Sequence, residues 1–131
     1  MSKSVYLSET AFVSMHEIKS RQIDMARMSG HSEEESQKIG AEFVQNLVNE
    51  ATEALSGIVT WPVDPQMASR GYPFRKWRQK STGFLCQHEV TDAEIQIHFF
   101  CHGKTDYVNA FSRLTTVYTY VPYYLPGHDP Y

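Results

Sequence analysis

The chain has 131 residues, 41% of them apolar and 13% aromatic, enough to bury one core and within the usual size of a single domain. Its net charge of −3 divides unevenly: residues 1–60 carry five Lys/Arg against nine Asp/Glu, and residues 61–131 carry seven against six. No stretch approaches the roughly 18 uninterrupted apolar residues of a spanning helix, and the first seven residues lack the basic-then-apolar plan of a secretory signal, so a soluble, cytoplasmic protein without a membrane partner is expected.

Val5-Tyr6-Leu7 is a short strand candidate, with Ser8 and Thr10 behind it as helix caps. From Ala11 the apolar residues Ala11, Met15, Ile18 and Met25 recur at helical spacing, and Met28-Ser29-Gly30-His31 ends the run. Ser32-Glu33-Glu34-Glu35 has the Ser-x-x-Glu form of a capping box, with three carboxylates where a helix dipole favours them. The helix it opens carries Ile39, Phe43, Leu47, Ala51 and Leu55 on one stripe, widened by Val44 and Val48, and ends near Ser56-Gly57. The two helices are expected to form an antiparallel hairpin.

The segment from Trp61 to Pro73 is rich in Pro and Gly and reads as a connection. A strand is expected at Phe74–Arg78, a turn at Ser81-Thr82-Gly83, and then two segments of period two, 84–90 and 95–102, on either side of Thr91-Asp92-Ala93-Glu94. With Asp92-Ala93 as the loop, position 90 faces 95, 88 faces 97, 86 faces 99 and 84 faces 101. That register puts Phe84, Cys86, Val90, Ile95, Ile97, Phe99 and Cys101 on an inner, apolar face. It leaves Leu85, Gln87, Glu89, Gln96, His98 and Phe100 on an outer, wet one. Cys86 and Cys101 would then lie diagonally at about 7–8 Å, too far for comfortable bridging, and are expected as reduced, buried thiols. The remainder, residues 117–131, is a Tyr- and Pro-rich extension in which 117–121 could add an edge strand.

Arg70, Arg75, Lys76, Arg78 and Lys80 form a basic run with no acid between Asp64 and Glu89, interleaved with Tyr72, Phe74 and Trp77. Cations meet phosphates and rings stack on bases, so the mixture suits a nucleic acid, although an ordinary charged edge strand has the same composition. Metal chemistry is not expected, because His98 and His102 are roughly 13 Å apart along a strand and the cysteines have no CxxC partner. No phosphate loop, nucleophile elbow or dinucleotide fingerprint is present, so no cofactor is expected either. RNA cleavage through its own 2′-hydroxyl needs none: it asks for a proton acceptor, a proton donor and cations about the phosphate. Lys76, Arg78 and Lys104 are candidates for the cations, and His98, His102, Glu89 or Tyr107 for moving protons. His88, on the inner face, is expected to be a hydrogen-bonded core residue.

This order of pieces, closed by "PFRKWRQKSTGFLCQHEVTDAEIQIHFFCHGKTDY", resembles the RelE/ParE superfamily of bacterial type II toxin–antitoxin toxins over about residues 4–112. The resemblance implies a single α+β domain over 1–131, with a short strand and a helical hairpin packed on a small, mainly antiparallel sheet. It implies a growth-inhibiting toxin whose partners are a cognate antitoxin, with which it forms an oligomer, and either the ribosome and mRNA or DNA gyrase. One branch of the family cuts mRNA in the ribosome; another poisons gyrase without nuclease chemistry. Carried over by position, Lys76 and Arg78 match basic residues of the second strand of the mRNA-cutting branch, and Lys104 and Tyr107 its final basic and aromatic positions. With them, Arg70, Arg75, Trp77 and Lys80 complete the expected nucleic-acid surface. Two arginines of the pattern are replaced, by Leu85 and Thr105, and each missing phosphate contact costs about 2–4 kcal/mol in the transition state. A degenerate, purely binding member is the third reading.

Overall fold

Strand β1 (Ser4–Leu7) leads into α1 (Glu9–Met28) and α2 (Glu33–Leu55), then α3 (Pro65–Ala68), β2 (Arg75–Arg78), β3 (Phe84–Val90), β4 (Glu94–His102) and α4 (Tyr107–Val117). This computed structural model describes residues 3–57 and 59–117, so the expected strand at 117–121 falls outside it except for Val117, which ends α4. The architecture is α+β, as expected: a helical hairpin on a four-stranded sheet of order β1-β4-β3-β2. The β1–β4 pair is parallel and the other two pairs are antiparallel.

The hairpin begins where its caps place it. The Ser8 hydroxyl accepts the Ala11 N–H at 3.3 Å, and Ser32 and Glu35 form the reciprocal capping box, which satisfies donors that a helix start leaves unpaired. Glutamates 33–35 occupy the first turn of α2. The two helices approach closely at Gly40, where an added Cβ would lie 2.5 Å from the Ile23 side chain and 3.0 Å from the Lys19 carbonyl oxygen. Their sheet-facing stripe holds Ala11, Ile18, Val44, Leu47, Ala51 and Leu55. Met25, expected in that stripe, is 54% exposed, while Ile23 and Ala26 beside it are buried.

The β3–β4 ladder departs from the expected register after three pairs. Val90 faces Ile95, Glu89 faces Gln96 and His88 faces Ile97, but Gln87 then faces Phe99. His98 is thus the extra residue of a β-bulge, and beyond it every side chain of β4 changes face. Phe100 joins Cys86 and Trp77 on the helical side, while Phe99 and Cys101 move to the opposite side with Leu85. The bulge comes where β1 runs out: Leu7 pairs with Ile97, and beyond it polar side chains of α1 take over. The hydroxyls of Ser8 and Thr10 donate to the His98 carbonyl, and the Ser14 hydroxyl accepts the Phe100 N–H at 2.9 Å. These buried Ser and Thr residues replace a missing strand, since unpaired backbone groups are costly to bury.

The expected wet outer face is therefore overturned. Met67, Phe74, Leu85, Phe99, Cys101, Tyr107, Val108 and Phe111 form a second apolar cluster on that side, contributed by α3, the residues before β2, and α4. Gln87 and His98 lie inside it at 0% exposure. Helix α4 carries Val108 and Phe111 at helical spacing, and α3 starts at Pro65 behind the Asp64 cap. The sheet is covered on both faces, and this small domain has two cores divided by one sheet. Both cysteines are buried free thiols, as expected, but the bulge puts them on opposite faces.

Candidate nucleic-acid interface

Strand β2 is an edge, and its alternation divides the basic run. Arg75 and Trp77 point toward the helical hairpin. Trp77 is 7% exposed in the helix-side core, so it cannot stack on a base as expected, and the Arg75 guanidinium donates to the Trp61 carbonyl at 2.7 Å. Lys76 and Arg78 stand on the other face, opposite Gln87 and Leu85. Lys76 is half-buried, while Arg70, Arg78, Lys80 and Lys104 are exposed.

Two expected proton-moving groups are walled in. His98 stacks on Phe74 with ring centroids 4.4 Å apart, and its Nε2 meets Glu89 Oε1 at 3.1 Å. Burial lowers its pKa to about 3, with a contribution from His88. Desolvation outweighs the adjacent carboxylate, so the ring is neutral and donates Nε2–H to Glu89. Tyr107 is 6% exposed; burial and its hydrogen bond to Asp64 push its hydroxyl up to about 12. Neither side chain reaches an RNA lying on the surface. His88 is a buried core histidine, as expected: its Nδ1 lies 3.2 Å from the Cys86 carbonyl, and burial lowers its pKa to about 4.

These two neutral histidines make the fold acid-sensitive. Their folded pKa values lie below the unfolded value of roughly 6.5, so between those limits the unfolded chain binds more protons, and stability rises with pH. It is fully present above pH ~6.5 and is lost toward pH ~4, by roughly 1.4 kcal/mol per pH unit for each ring. We expect the urea midpoint to fall clearly between pH 7.5 and pH 5. An unchanged midpoint would show that the rings protonate without unfolding.

His102 is different. It is half-buried at the end of β4, edge-on to Phe84 at 5.1 Å. Its Nδ1 accepts the Lys104 N–H at 3.1 Å, which leaves Nε2 to carry the proton. That nitrogen and Arg78 Nη2 converge over Gly83, where a Cβ would lie 3.4 Å from the first and 3.6 Å from the second. Gly83 also has φ +80°, a conformation glycine adopts without strain. Two N–H donors thus share one corner of the surface beside Gly83, a combination that suits an anionic oxygen. As held here, His102 is a hydrogen-bond donor to such an oxygen rather than a base, because its second nitrogen is engaged.

Sequence reasoning did not single out Asp64 or the surroundings of His102. Asp64 is 0% exposed and ties three elements together, through the α3 N–H groups, the Gln87 amide at 2.8 Å and the Tyr107 hydroxyl. Its place in a Pro-flanked turn was its only signal. A cavity of about 440 Å³ opens between α1, the β3–β4 end of the sheet and α4, with His102 in its wall. Nothing in the spacing of α1 announced that its outer face would line it. No helix among the described residues is long and apolar enough to cross a membrane. No protein-family model matches the chain, and a search of the curated proteins finds no relative.

Proposed function

We propose that this chain is a RelE/ParE-like toxin of a bacterial toxin–antitoxin system, acting in the cytoplasm on ribosome-bound mRNA and held in check by a cognate antitoxin. The observation that carries the reading is the convergence of His102 Nε2 and Arg78 Nη2 over Gly83, with exposed Lys80 and Lys104 on the neighbouring loops. The order of strand, helical hairpin and antiparallel β2-β3-β4 meander supports it, since the resemblance implies the same order. The contribution of these residues is electrostatic. When a 2′-hydroxyl attacks its own phosphodiester, negative charge grows on the non-bridging oxygens, and two fixed donors stabilise that charge more than the ground state.

A second reading, binding and poisoning of DNA gyrase without hydrolysis, is favoured by a separate observation: His98 and Tyr107, two of the expected proton carriers, are buried. Purified chain added to a translation system and to a supercoiling assay separates the two. Cuts in ribosome-bound mRNA with supercoiling intact support the first; failed supercoiling with intact mRNA overturns it in favour of the second.

A further inference from the structure

Beside the phosphate position the fold leaves a cavity of about 440 Å³, within the size range of small-ligand sites. Resting on the mRNA reading above, we propose that it receives a guanine base of the substrate next to the phosphate held by Arg78 and His102. The half-buried ring of Phe84 and the buried Phe99 supply apolar wall, and His102 belongs both to the wall and to the donor pair over Gly83. A base entering from that phosphate therefore passes an aromatic surface of the kind on which bases stack.

The polar groups select the base. Glu17 and Arg21 both line the cavity, one helical turn apart on α1, which puts their Cβ atoms about 5–6 Å from each other. Both are exposed, and no ion pair joins them among the described residues, so both are available to a ligand. A carboxylate accepts two hydrogen bonds side by side, and guanine alone among the four bases offers two adjacent N–H donors, N1–H and N2–H, on its pairing edge. The next group along that edge is O6, an acceptor suited to the Arg21 guanidinium, which pairs readily with O6 and N7. Adenine and cytosine would turn a lone pair toward Glu17, and uracil would offer it a single donor. Gln22, also in the lining, can satisfy a further edge atom with either end of its amide.

The test uses the whole chain and free nucleosides, which lack the phosphate that Arg78 and His102 would hold. Titrated by NMR, guanosine is expected to shift the backbone amides of residues 17–22 and 105 saturably, with adenosine, cytidine and uridine each at least about ten-fold weaker. Glu17→Gln, a surface change that does not threaten folding, is expected to remove that preference, because one of its two acceptors becomes a donor. Equal affinity for all four nucleosides, no saturable shift, or a preference that survives Glu17→Gln overturns the inference. The two readings fail separately. Cleavage of mRNA without guanosine selectivity sinks the pocket alone, and selective guanosine binding with no cleavage of ribosomal mRNA sinks the nuclease reading alone.

Discussion

His102→Asn is expected to lower the rate of ribosome-dependent mRNA cleavage by about 10²–10³-fold, the usual effect of removing one fixed donor to a developing oxyanion. The choice of Asn isolates the donor. Its side-chain oxygen can take the place of Nδ1 and keep the Lys104 N–H contact, while nothing remains at the position of Nε2 over Gly83. Gln reaches that position with its amide N–H, so His102→Gln is expected to recover part of the rate. A residue needed only for folding would not distinguish the two variants in this way, and both are expected to unfold near the wild-type temperature. Arg78→Ala removes the other donor from an exposed edge position and is expected to cost a similar factor. Single-turnover cleavage and growth on induction read both effects. Full activity of His102→Asn together with full activity of Arg78→Ala would remove the site.

Asp64→Ala is expected to be strongly destabilising, by about 2–4 kcal/mol, because it leaves buried neutral donors without their acceptor. Burial by itself would raise this carboxyl's pKa. Hydrogen bonds from the Gln87 amide, the Tyr107 hydroxyl and the Gln66 N–H, with the nearby Lys76 charge, outweigh that and lower it. Truncation leaves the Gln87 amide and the Tyr107 hydroxyl facing a gap between β3 and α4, each losing its partner where water does not readily replace it. It also uncaps α3. Against a total stability of roughly 5–15 kcal/mol, thermal unfolding should begin about 10 °C or more lower. The sign of the pH effect follows from the lowered pKa. The carboxylate's contribution is present above its unfolded pKa of roughly 4 and disappears as pH falls through the folded value, so the gap between wild type and Asp64→Ala should narrow in acid. A loss below about 1 kcal/mol would show that the network is dispensable.

The local rules were legible in the sequence wherever one residue type has one dominant use. Ser32 and Glu35 announced the capping box, the helical stripe of α2 announced its buried side, and the alternation through 84–90 and 95–102 announced a hairpin whose first three pairs stand as expected. His98 shows where this reasoning ends. Period two along β4 continues through it without a mark, and only the bulge moves Phe99 and Cys101 onto the face that had seemed wet. A polar residue in a strand reads as solvent-facing, yet Gln87 and His98 are buried with their hydrogen bonds accepted by Asp64, in the turn before α3, and by Glu89, across the hairpin. Tyr107, expected to move a proton, and Trp77, expected to stack on a base, are likewise buried packing residues.

The sequence by itself determined β1, the helical hairpin, the β2-β3-β4 meander, their order, the α+β class and the concentration of positive charge about the second strand, because caps, periodicity and composition act over a few residues. It did not announce α3, inside a segment that reads as a connection, or α4. The tertiary structure alone decided which charges are usable. Ending β1 at Leu7 obliges Ser8, Thr10 and Ser14 to complete β4, and the register slip at His98 and the packing of α3 and α4 close one face of the sheet. What remains open is the corner where Arg78 and His102 meet over Gly83. That corner joins the end of β2 and the turn after it, which carry Arg78 and Gly83, to the end of β4, which carries His102, and no pattern within either segment contains the distance to the other.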